Sequence, residues 1–530
     1  MAGIVTYKFR LNNATQFHES FTEAANINTR YYMFLARPNA WSNEAVPPTP
    51  TDTVQNTDFN VWRNMLAAKR VTSSDVRFAI PRYTWTTSTV YTPYSHRSAT
   101  LYSSSFFVVN SAYNVYKCIE NNAGGNSTTE PTATGTSIFK TADGYHWKYM
   151  YNINTSDVLK FVTTSYIPVK TLTADDSSVQ WDIQQAAVNG AVEFIKLTAN
   201  GTNYLSTNGS FASVANSTTM ALASHSSGTD NIYNYSSIYI SGGLGSGQLR
   251  KIINYVGSSK TITVNGSFTT SPNTTSTYYL GPRVSVVGDG SSALAYANVT
   301  LPALASAGTG NSINEIIMIN RGTNYSKYEV VINANTSHGS GATANGAIAP
   351  YGGHGSDPVK ELGGYNVMLS VKIDGDETGT LFTNNDFRIV GLTSNPVLES
   401  NGLEANSTVY DMTTKLTVTS KSATHSADEI ITGGTSGAKG RYVTFANTNA
   451  AGTAGIVSVT GVTGTFAATE TITGNSSSVT ATVASINKRD LRDFKGDVLY
   501  VENRYQCLDL LIKVKTLNLL YGTKVYKTWH

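Results

Sequence analysis

Short apolar runs separated by Gly, Ser, Asn and Thr occur along most of the chain. Two of them, Phe106-Phe-Val-Val and Tyr113-Asn-Val-Tyr-Lys-Cys-Ile, follow one another closely, and Val367-Met-Leu-Ser-Val-Lys-Ile and Phe387-Arg-Ile-Val-Gly-Leu come later. Runs of about four to eight residues of this kind, bounded by turn residues, are typical of β-strands. The pattern therefore predicts a protein built mainly of short strands.

Helical periodicity is confined to the start of the chain. Phe17 and Phe21 follow Asn13, which is a candidate helix cap. A second set of apolar residues at helical spacing follows Asp58: Phe59, Trp62, Met65 and Leu66. We expect two short helices here, and we expect the second helical region to end at Pro81, because proline cannot continue a helix.

Two pairs of similar segments show that the chain contains internal repeats. In the first, Val192-Glu-Phe-Ile-Lys-Leu-Thr-Ala-Asn-Gly-Thr-Asn-Tyr matches Ile313-Asn-Glu-Ile-Ile-Met-Ile-Asn-Arg-Gly-Thr-Asn-Tyr, and each reads as a strand entering a turn. In the second, Asp428-Glu-Ile-Ile-Thr-Gly-Gly-Thr-Ser-Gly-Ala pairs with Glu470-Thr-Ile-Thr-Gly-Asn-Ser-Ser-Ser-Val. Duplicated β units bury an apolar face by stacking on a neighbour. We therefore expect two inserted β-sandwich or solenoid-like modules.

The 530-residue length exceeds what one hydrophobic core supports. We expect a mainly β, multidomain protein, with a discontinuous β-rich core domain, a few short helices and the inserted repeat modules. The predicted segments are an N-terminal core region, a first inserted module, a continuation of the core, a second inserted module, and C-terminal core strands with a tail: 1–185, 190–350, 351–415, 416–487 and 488–530.

Composition and charge exclude several classes of protein. Only 14% of residues are charged and the formal net charge is +3, without a basic run interleaved with aromatic residues, so no nucleic-acid partner is expected. Cys118 and Cys507 lie too far apart in sequence to suggest a disulfide framework or a metal site, which fits a reducing compartment. We see no signal peptide or membrane-spanning stretch, and expect a soluble protein made in a cytoplasm, with no membrane partner.

Candidate chemistry is sparse. His354 and Asp357 are candidates for an acid–base pair, but a glycine-rich turn is the favoured interpretation. Asp374, Asp376 and Glu377 are candidates for paired glycosidase-type carboxylates, but an exposed turn is again favoured. We therefore predict no enzyme activity, no cofactor, and no catalytic, cofactor-binding or metal-ligating residue. Sugar binding by aromatic shelves in the insertions stays an open alternative.

Several motifs occur in the same order as in one known family. They are Ile4-Val-Thr-Tyr-Lys-Phe-Arg10, Arg37-Pro-Asn-Ala-Trp-Ser42, Ala79-Ile-Pro-Arg-Tyr-Thr-Trp85, Asp143-Gly-Tyr-His-Trp-Lys-Tyr149, Phe387-Arg-Ile-Val and Gly496-Asp-Val-Leu-Tyr-Val-Glu-Asn-Arg504. Together they resemble the baseplate wedge subunit, found as a dimer, of T-even-like contractile-tailed bacteriophages (myoviruses). The resemblance covers residues 1–180, 355–415 and 488–504, and the first motif is similar to the family's opening strand.

This resemblance implies a non-enzymatic structural protein of the virion tail baseplate, assembled in the bacterial host cytoplasm. It implies a homodimer that joins neighbouring wedge proteins and helps transmit the rearrangement that triggers sheath contraction. Large aromatic and polar residues of these motifs are candidate anchors of an interface or of the core: Trp41, Trp62, Arg82, Trp85, Tyr145, Trp147, Glu502 and Arg504. The alternative is a tail-associated adhesin that binds host glycans through the repeat insertions.

The end of the chain departs from the family pattern. After Arg504 the family continues with a proline and an Asp-Gln-x-Glu segment, whereas Tyr505-Gln-Cys-Leu follows here. A shifted reading frame from Tyr505 permits the family pattern, so we hypothesise that residues 505–530 reflect a frameshift in the gene or in its sequencing. The coding DNA tests this hypothesis, since an undisturbed frame encoding the printed tail contradicts it.

Overall fold

A computed structural model of the chain describes residues 4–23, 29–300, 311–333, 339–371 and 387–507. Asp374, Asp376 and Glu377, and the hypothesised frameshifted tail beyond residue 507, lie outside these described residues. The protein is mainly β and multidomain, as the sequence predicts. The chain divides into two compact units, the first comprising residues 1–80, 159–169 and 364–530, and the second residues 81–158 and 170–363. The five predicted segment boundaries stay predictions.

The α-helices of the described residues are short. They are Tyr7–Glu19, Asn56–Asn64, Thr155–Phe161, Val179–Ala186 and Pro358–Glu361. Single 3-10 turns occur at Ser73–Asp75, Leu101–Ser103 and Asn122–Gly124.

The first helix corrects two predictions. Residues 4–10 are not an opening strand and Asn13 is not a cap, because the helix begins at Tyr7 and continues to Glu19. Thr6 is the cap, and its hydroxyl oxygen accepts a hydrogen bond from the Phe9 backbone N–H at 3.3 Å. Few apolar side chains of this helix are buried, so the apolar–polar alternation of residues 4–10 concealed its helical period.

The second helix is shorter than the sequence predicts. It ends at Asn64, and Met65–Arg70 is a strand, so the placement of Met65 and Leu66 in the helix was wrong. The helical region also does not reach Pro81, because Val76–Pro81 is a strand. Met65–Arg70 pairs antiparallel with Tyr31–Ala36 and is buried at its start. Sheet pairing here overrides the local helical spacing.

Five strands of the first unit form an antiparallel central sheet. Their order across the sheet is Val409–Asp411, Met65–Arg70, Tyr31–Ala36, Phe387–Ser394 and Asp497–Cys507. Every residue of Tyr31–Ala36 and of Phe387–Ser394 is buried, because both faces of the sheet are covered by apolar side chains. The sheet therefore joins segments that are distant in sequence. A smaller sheet of the same unit contains Asn366–Leu369, Val76–Pro81 and Tyr166–Val169.

The second repeat pair forms a closed six-stranded barrel in the first unit. The strands follow one another around the barrel in the order Thr414–Thr419, Gly455–Thr463, Lys439–Asn447, Ile430–Gly433, Thr471–Gly474 and Thr480–Asn487. Ile431 and Ile472, at equivalent positions of the two repeats, are fully buried in its core. Closure removes the free strand edges that a small sheet would otherwise expose.

A glutamate of each repeat binds the turn of the other repeat. Glu429 Oε2 accepts backbone hydrogen bonds from the 476–477 turn at 3.2 and 3.0 Å. Glu470 Oε2 accepts the equivalent bonds from the 435–436 turn at 3.1 and 2.9 Å. These reciprocal contacts satisfy backbone N–H groups of both turns and hold the two repeats together.

In the second unit, the first repeat pair forms one six-stranded module. The first copy contributes Ile195–Thr202, Arg283–Gly288 and Ser291–Val299, and the second Ile313–Thr323, Tyr328–Asn333 and Ser340–Gly346. The first strand of each copy pairs with the third strand of the other copy, and the middle strands pair with each other. The two copies therefore exchange strands and share one core.

A further seven-stranded sheet interrupts the first copy of this repeat. Its strands, in order across the sheet, are Thr207–Ser210, Thr277–Gly281, Ser237–Gly242, Leu249–Val256, Thr261–Val264, Thr219–Ala221 and Ser213–Val214. The insertion follows the Gly-Thr-Asn-Tyr turn that ends at Tyr204, and it has an apolar core of its own. In the second copy only Ser326 and Lys327 occupy the corresponding position.

The remaining sheet of the second unit has four strands. They are Phe107–Val109, Asn114–Glu120, His146–Asn152 and Phe139–Lys140, in that order. The strands predicted around residues 106–109 and 113–119 are therefore confirmed.

Candidate functional site

A buried network of charged side chains lies in the second unit. Lys117 Nζ lies 2.9 Å from His354 Nδ1 and 3.0 Å from Glu361 Oε2. The Tyr94 ring centroid lies 4.0 Å from the same ammonium group. Glu361 Oε1 in turn accepts a hydrogen bond from the Gly355 backbone N–H at 2.7 Å. The network therefore links a strand, a glycine-rich turn and a short helix.

Burial controls the ionisation of this network. Burial lowers the pKa of Lys117 and raises the pKa of Glu361, and the attraction between the two groups opposes both shifts. Burial, together with the ammonium groups of Lys117 and Lys148, holds the pKa of His354 well below its usual range, so its imidazole is neutral and Nδ1 accepts from Lys117. The Lys117 and Glu361 side chains are 0% and 2% exposed, which fits a structural role better than catalysis.

The structure does not pair His354 with Asp357. The Asp357 carboxylate accepts hydrogen bonds from the Thr171 hydroxyl at 2.6 Å and from the Lys360 backbone N–H at 3.1 Å, and it caps the helix Pro358–Glu361. This agrees with the interpretation of the segment as a turn. Sequence reasoning missed Lys117, although its position inside the apolar run Tyr-Lys-Cys-Ile was a signal that its side chain is buried.

A cleft of about 740 Å³ lies within the first unit. Its walls are the proline-rich segment 48–51, the helix Asn56–Asn64, the barrel strand Lys439–Asn447 and Asp497–Cys507, which is an edge strand of the central sheet. We call this cavity the basic cleft, because Arg63, Lys439 and Arg441 line it and none of its described lining residues is acidic.

Apolar and polar groups complete the basic cleft. Trp41, Ile389 and Val501 contribute apolar surface. The Arg441 guanidinium donates hydrogen bonds to Asn39 Oδ1 and, at 3.4 Å, to the backbone carbonyl of Asp428. These contacts hold one cation of the cleft in a defined position.

Three of the candidate anchors are buried in cores. Trp62, Tyr145 and Trp147 have no exposed surface. Tyr145 and Trp147 stack with ring centroids 5.4 Å apart, and the Tyr145 hydroxyl donates to the Gly125 carbonyl at 2.6 Å. In the free chain these residues stabilise the fold.

Trp41 comes together with two other candidate anchors, Glu502 and Arg504, which lie far from it in the sequence. The Trp41 indole N–H donates a hydrogen bond to the Arg504 backbone carbonyl at 3.2 Å. Arg504 Nε lies 3.3 Å from Glu502 Oε1. The motif that contains Trp41 and the last motif of the chain therefore meet beside the basic cleft, at a partly exposed position. The sequence grouped these residues only by motif and gave no signal of this contact.

The remaining two candidate anchors are half-buried. The Trp85 indole N–H donates to Ser127 Oγ at 3.1 Å, and Arg82 Nε donates to Thr84 Oγ1 at 3.1 Å. Whether any of the eight anchors contacts another protein stays a prediction.

Neither a metal-ligand cluster nor a membrane-spanning helix occurs among the described residues. In this part of the chain no group of His, Cys, Asp and Glu side chains is placed to hold a metal ion. No helix within the described ranges is long and apolar enough to cross a membrane. Cys118 is buried, and burial raises the pKa of its thiol well above the usual value, which disfavours the reactive thiolate.

Comparison with known proteins concerns the first part of the chain. Residues 3–122 and 117–221 match a family model described as Bacteriophage T4, Gp8. Over 207 residues the chain is 28% identical to the baseplate wedge protein gp8 of Enterobacteria phage T4. The resemblance to the baseplate wedge family is confirmed. The aligned region covers 31% of this chain and 60% of the T4 wedge protein, so less than two thirds of that relative is represented.

The match to the wedge family ends at residue 221, before the later motifs. The wedge-like character of residues 355–415 and 488–504 therefore stays a prediction. It is supported by the central sheet, in which Phe387–Ser394 pairs with Tyr31–Ala36 on one side and with Asp497–Cys507 on the other. The later motifs thus complete a sheet whose first strands lie in the region that matches the wedge family.

Proposed function

We propose that this protein is a structural subunit of a phage contractile-tail baseplate wedge, located in the virion tail and without enzymatic activity. The observation that carries the proposal is the match of residues 3–221 to the wedge family, supported by a relative that is itself named a baseplate wedge protein. In this role the protein joins neighbouring wedge proteins and helps transmit the rearrangement that triggers sheath contraction.

The central sheet suits a role in transmitting force between bound neighbours. Its strands come from the chain regions 31–70, 387–411 and 497–507, and adjacent strands are joined by antiparallel hydrogen-bond ladders. Hydrogen bonds between adjacent strands distribute a force that is applied to one of these regions over the strands of the other two. The sheet therefore supports transmission of a movement from one bound neighbour to another without local unfolding.

The location is tested on intact virions. We expect a density map of the tail, before and after contraction, to contain this fold in every baseplate wedge, and to show it moving as a body with its neighbours. Absence of the protein from purified virions by peptide mass analysis would contradict the proposal.

The proposed assembly unit is a homodimer. Light scattering coupled to gel filtration is expected to give about twice the chain mass of 56.8 kDa at micromolar concentration. A mass that stays at that of one chain over this concentration range would contradict the dimer while leaving the baseplate location to be decided by the virion map.

A second candidate function is recognition of host glycans by the inserted β modules. The observation that favours it is Tyr235, which is 56% exposed beside the seven-stranded sheet, with Lys251 Nζ 5.0 Å from its ring centroid. An exposed tyrosine ring offers an apolar face on which a sugar can stack. A glycan array with the full chain tests it: selective binding lost in Tyr235→Ala supports recognition, and absence of selective binding contradicts it.

A further inference from the structure

We propose that the basic cleft of the first unit binds an acidic, extended peptide segment of a neighbouring protein. This inference rests on the proposed function, since in a baseplate wedge the neighbour is another wedge protein. It assigns a location to one of the contacts by which the subunit joins its neighbours.

The charge of the basic cleft selects the chemistry of its occupant. Arg63, Lys439 and Arg441 line the cleft, and no acidic residue is among its described lining residues. Asp428 interacts with Arg441 from outside this lining, with 3.8 Å between Asp428 Oδ1 and Arg441 Nη1. Carboxylates are the groups that arginine and lysine bind in proteins, and complementary charge gives specificity to such contacts.

The strand that forms one wall of the basic cleft favours an extended segment as the occupant. The cleft volume of about 740 Å³ is that of a pocket for a small ligand or a few side chains. One wall is lined by Val501 and Asn503, which are alternate residues of the edge strand Asp497–Cys507. In the part of the sheet that the structure describes, this strand is paired along one edge only, by Phe387–Ser394. An added strand at such an edge is a common mode of peptide recognition.

The chain's own tail is a poor occupant of the basic cleft. Residues 508–530 contain four lysines and one aspartate, so their charge has the same sign as that of the cleft. Repulsion between like charges disfavours docking of this tail. A phosphate backbone is also disfavoured, because the cleft is a short, walled cavity and no basic run continues it along the sequence.

The experiment measures binding of fluorescein-labelled hexaglutamate to the purified full chain by fluorescence anisotropy at about 0.15 M salt. We expect the variant Arg63→Glu/Lys439→Glu to bind about tenfold more weakly than the wild type, because two attractive contacts become repulsive. Arg63→Gln/Lys439→Gln is expected to show a smaller loss, and it tests the proposal should the charge reversal impair folding.

Lys8→Glu is the matched control. Lys8 is an exposed lysine on the first helix of the same unit, and it does not line the cleft. Its replacement by glutamate changes the charge by the same amount per substituted residue as the cleft substitutions do. We expect this control to bind hexaglutamate like the wild type. Circular dichroism melts establish that each variant is folded.

Four results would overturn the proposal. The first is that the cleft variants bind hexaglutamate as tightly as Lys8→Glu does, and the second is that the wild type binds hexalysine as tightly as hexaglutamate. The third is that the wild type prefers an oligothymidylate of the same charge to hexaglutamate. The fourth is a tenfold gain in affinity for hexaglutamate on removal of residues 508–530, which would identify the tail as the occupant. Failure of the baseplate proposal appears instead as absence from virions, which this binding measurement does not involve.

Discussion

At the scale of single residues, the two barrel glutamates make the stability of the barrel depend on pH. Burial by itself raises the pKa of Glu429, but hydrogen bonds from Ser477, His425 and Ser426 outweigh it and lower the pKa to about 2. Burial opposes the bonds to Glu470 in the same way, and its pKa is also lowered. A carboxyl with a lowered folded-state pKa stabilises the fold above its unfolded pKa of about 4.3, and this stabilisation is lost as pH falls through the folded pKa.

We therefore expect Glu429→Gln to lower the free energy of unfolding by about 1–3 kcal/mol at pH 7. The difference from the wild type should shrink as pH falls from about 4.3 toward 2, because the wild type loses its own advantage in that range. Thermal unfolding of the full chain measures both effects. The control is Glu404→Gln, whose side chain is 58% exposed in the same unit. A loss no larger than that of the control would refute the role of Glu429.

The buried Lys117–Glu361 pair gives a second prediction at this scale. Lys117→Met leaves the Glu361 carboxylate buried without its cation, which is expected to cost about 3–5 kcal/mol. Urea denaturation at pH 7 measures this loss. Lys360→Met removes an exposed partner of Asp357 in the same region, and it is expected to cost about 0–1 kcal/mol. Similar losses in the two variants would show that burial does not govern the pair.

At the scale of secondary-structure elements, the sequence predicted strands better than helices. Phe387–Ser394 could be predicted because its short, mostly apolar run is typical of a strand with both faces covered. The start of the helix Tyr7–Glu19 could not be predicted, since only Leu11 and Ala14 of this helix are buried. Met65 was misplaced because its partner strand, Tyr31–Ala36, lies outside any local window. Local patterns therefore fail where burial is slight or where a distant strand decides.

The barrel turns give a prediction at the element scale. A Cβ atom at Gly474 would lie 2.4 Å from the nearest carboxylate oxygen of Glu429, so this glycine is required by close approach of the glutamate. We expect Gly474→Ala to lower barrel stability by about 1–3 kcal/mol, as overpacking does. Limited proteolysis and thermal unfolding measure the change.

The control for Gly474→Ala is Gly135→Ala. No heavy atom lies within 4 Å of a Cβ atom built at Gly135, so added volume is accommodated there. Equal stability of the two variants would contradict the packing argument, and a larger loss in Gly474→Ala supports it.

At the scale of the whole molecule, the central sheet depends on the last described strand. Asp497–Cys507 pairs along Phe387–Ser394, which is completely buried. We expect truncation after Gly496 to expose this strand and to give aggregated protein, as unprotected apolar edges do. Truncation after Cys507 retains the pairing and is the control, with unfolding behaviour close to that of the full chain. Soluble, stable protein from the shorter truncation would contradict this account.

The global arrangement could be predicted only in part. The motifs at both ends of the chain predicted a resemblance to the baseplate wedge family, and the match over residues 3–221 confirms this resemblance for the first part. The contact between Trp41 and Arg504 and the basic cleft could not be predicted, because each depends on how distant segments meet. The exchange of strands between the repeat copies was equally inaccessible, since two similar sequences do not reveal which strand pairs with which.

The seven-stranded insertion has a consequence for how such a subunit can diversify. One copy of the repeat accepts an entire extra sheet where the other has only Ser326 and Lys327, and both copies keep equivalent strand pairings. The position after the Gly-Thr-Asn-Tyr turn therefore tolerates the insertion of a whole folded sheet. Evolution could replace the inserted sheet by another domain at this position, and a reporter domain could be inserted there by design. In either case the strand pairings of the repeat module would be retained.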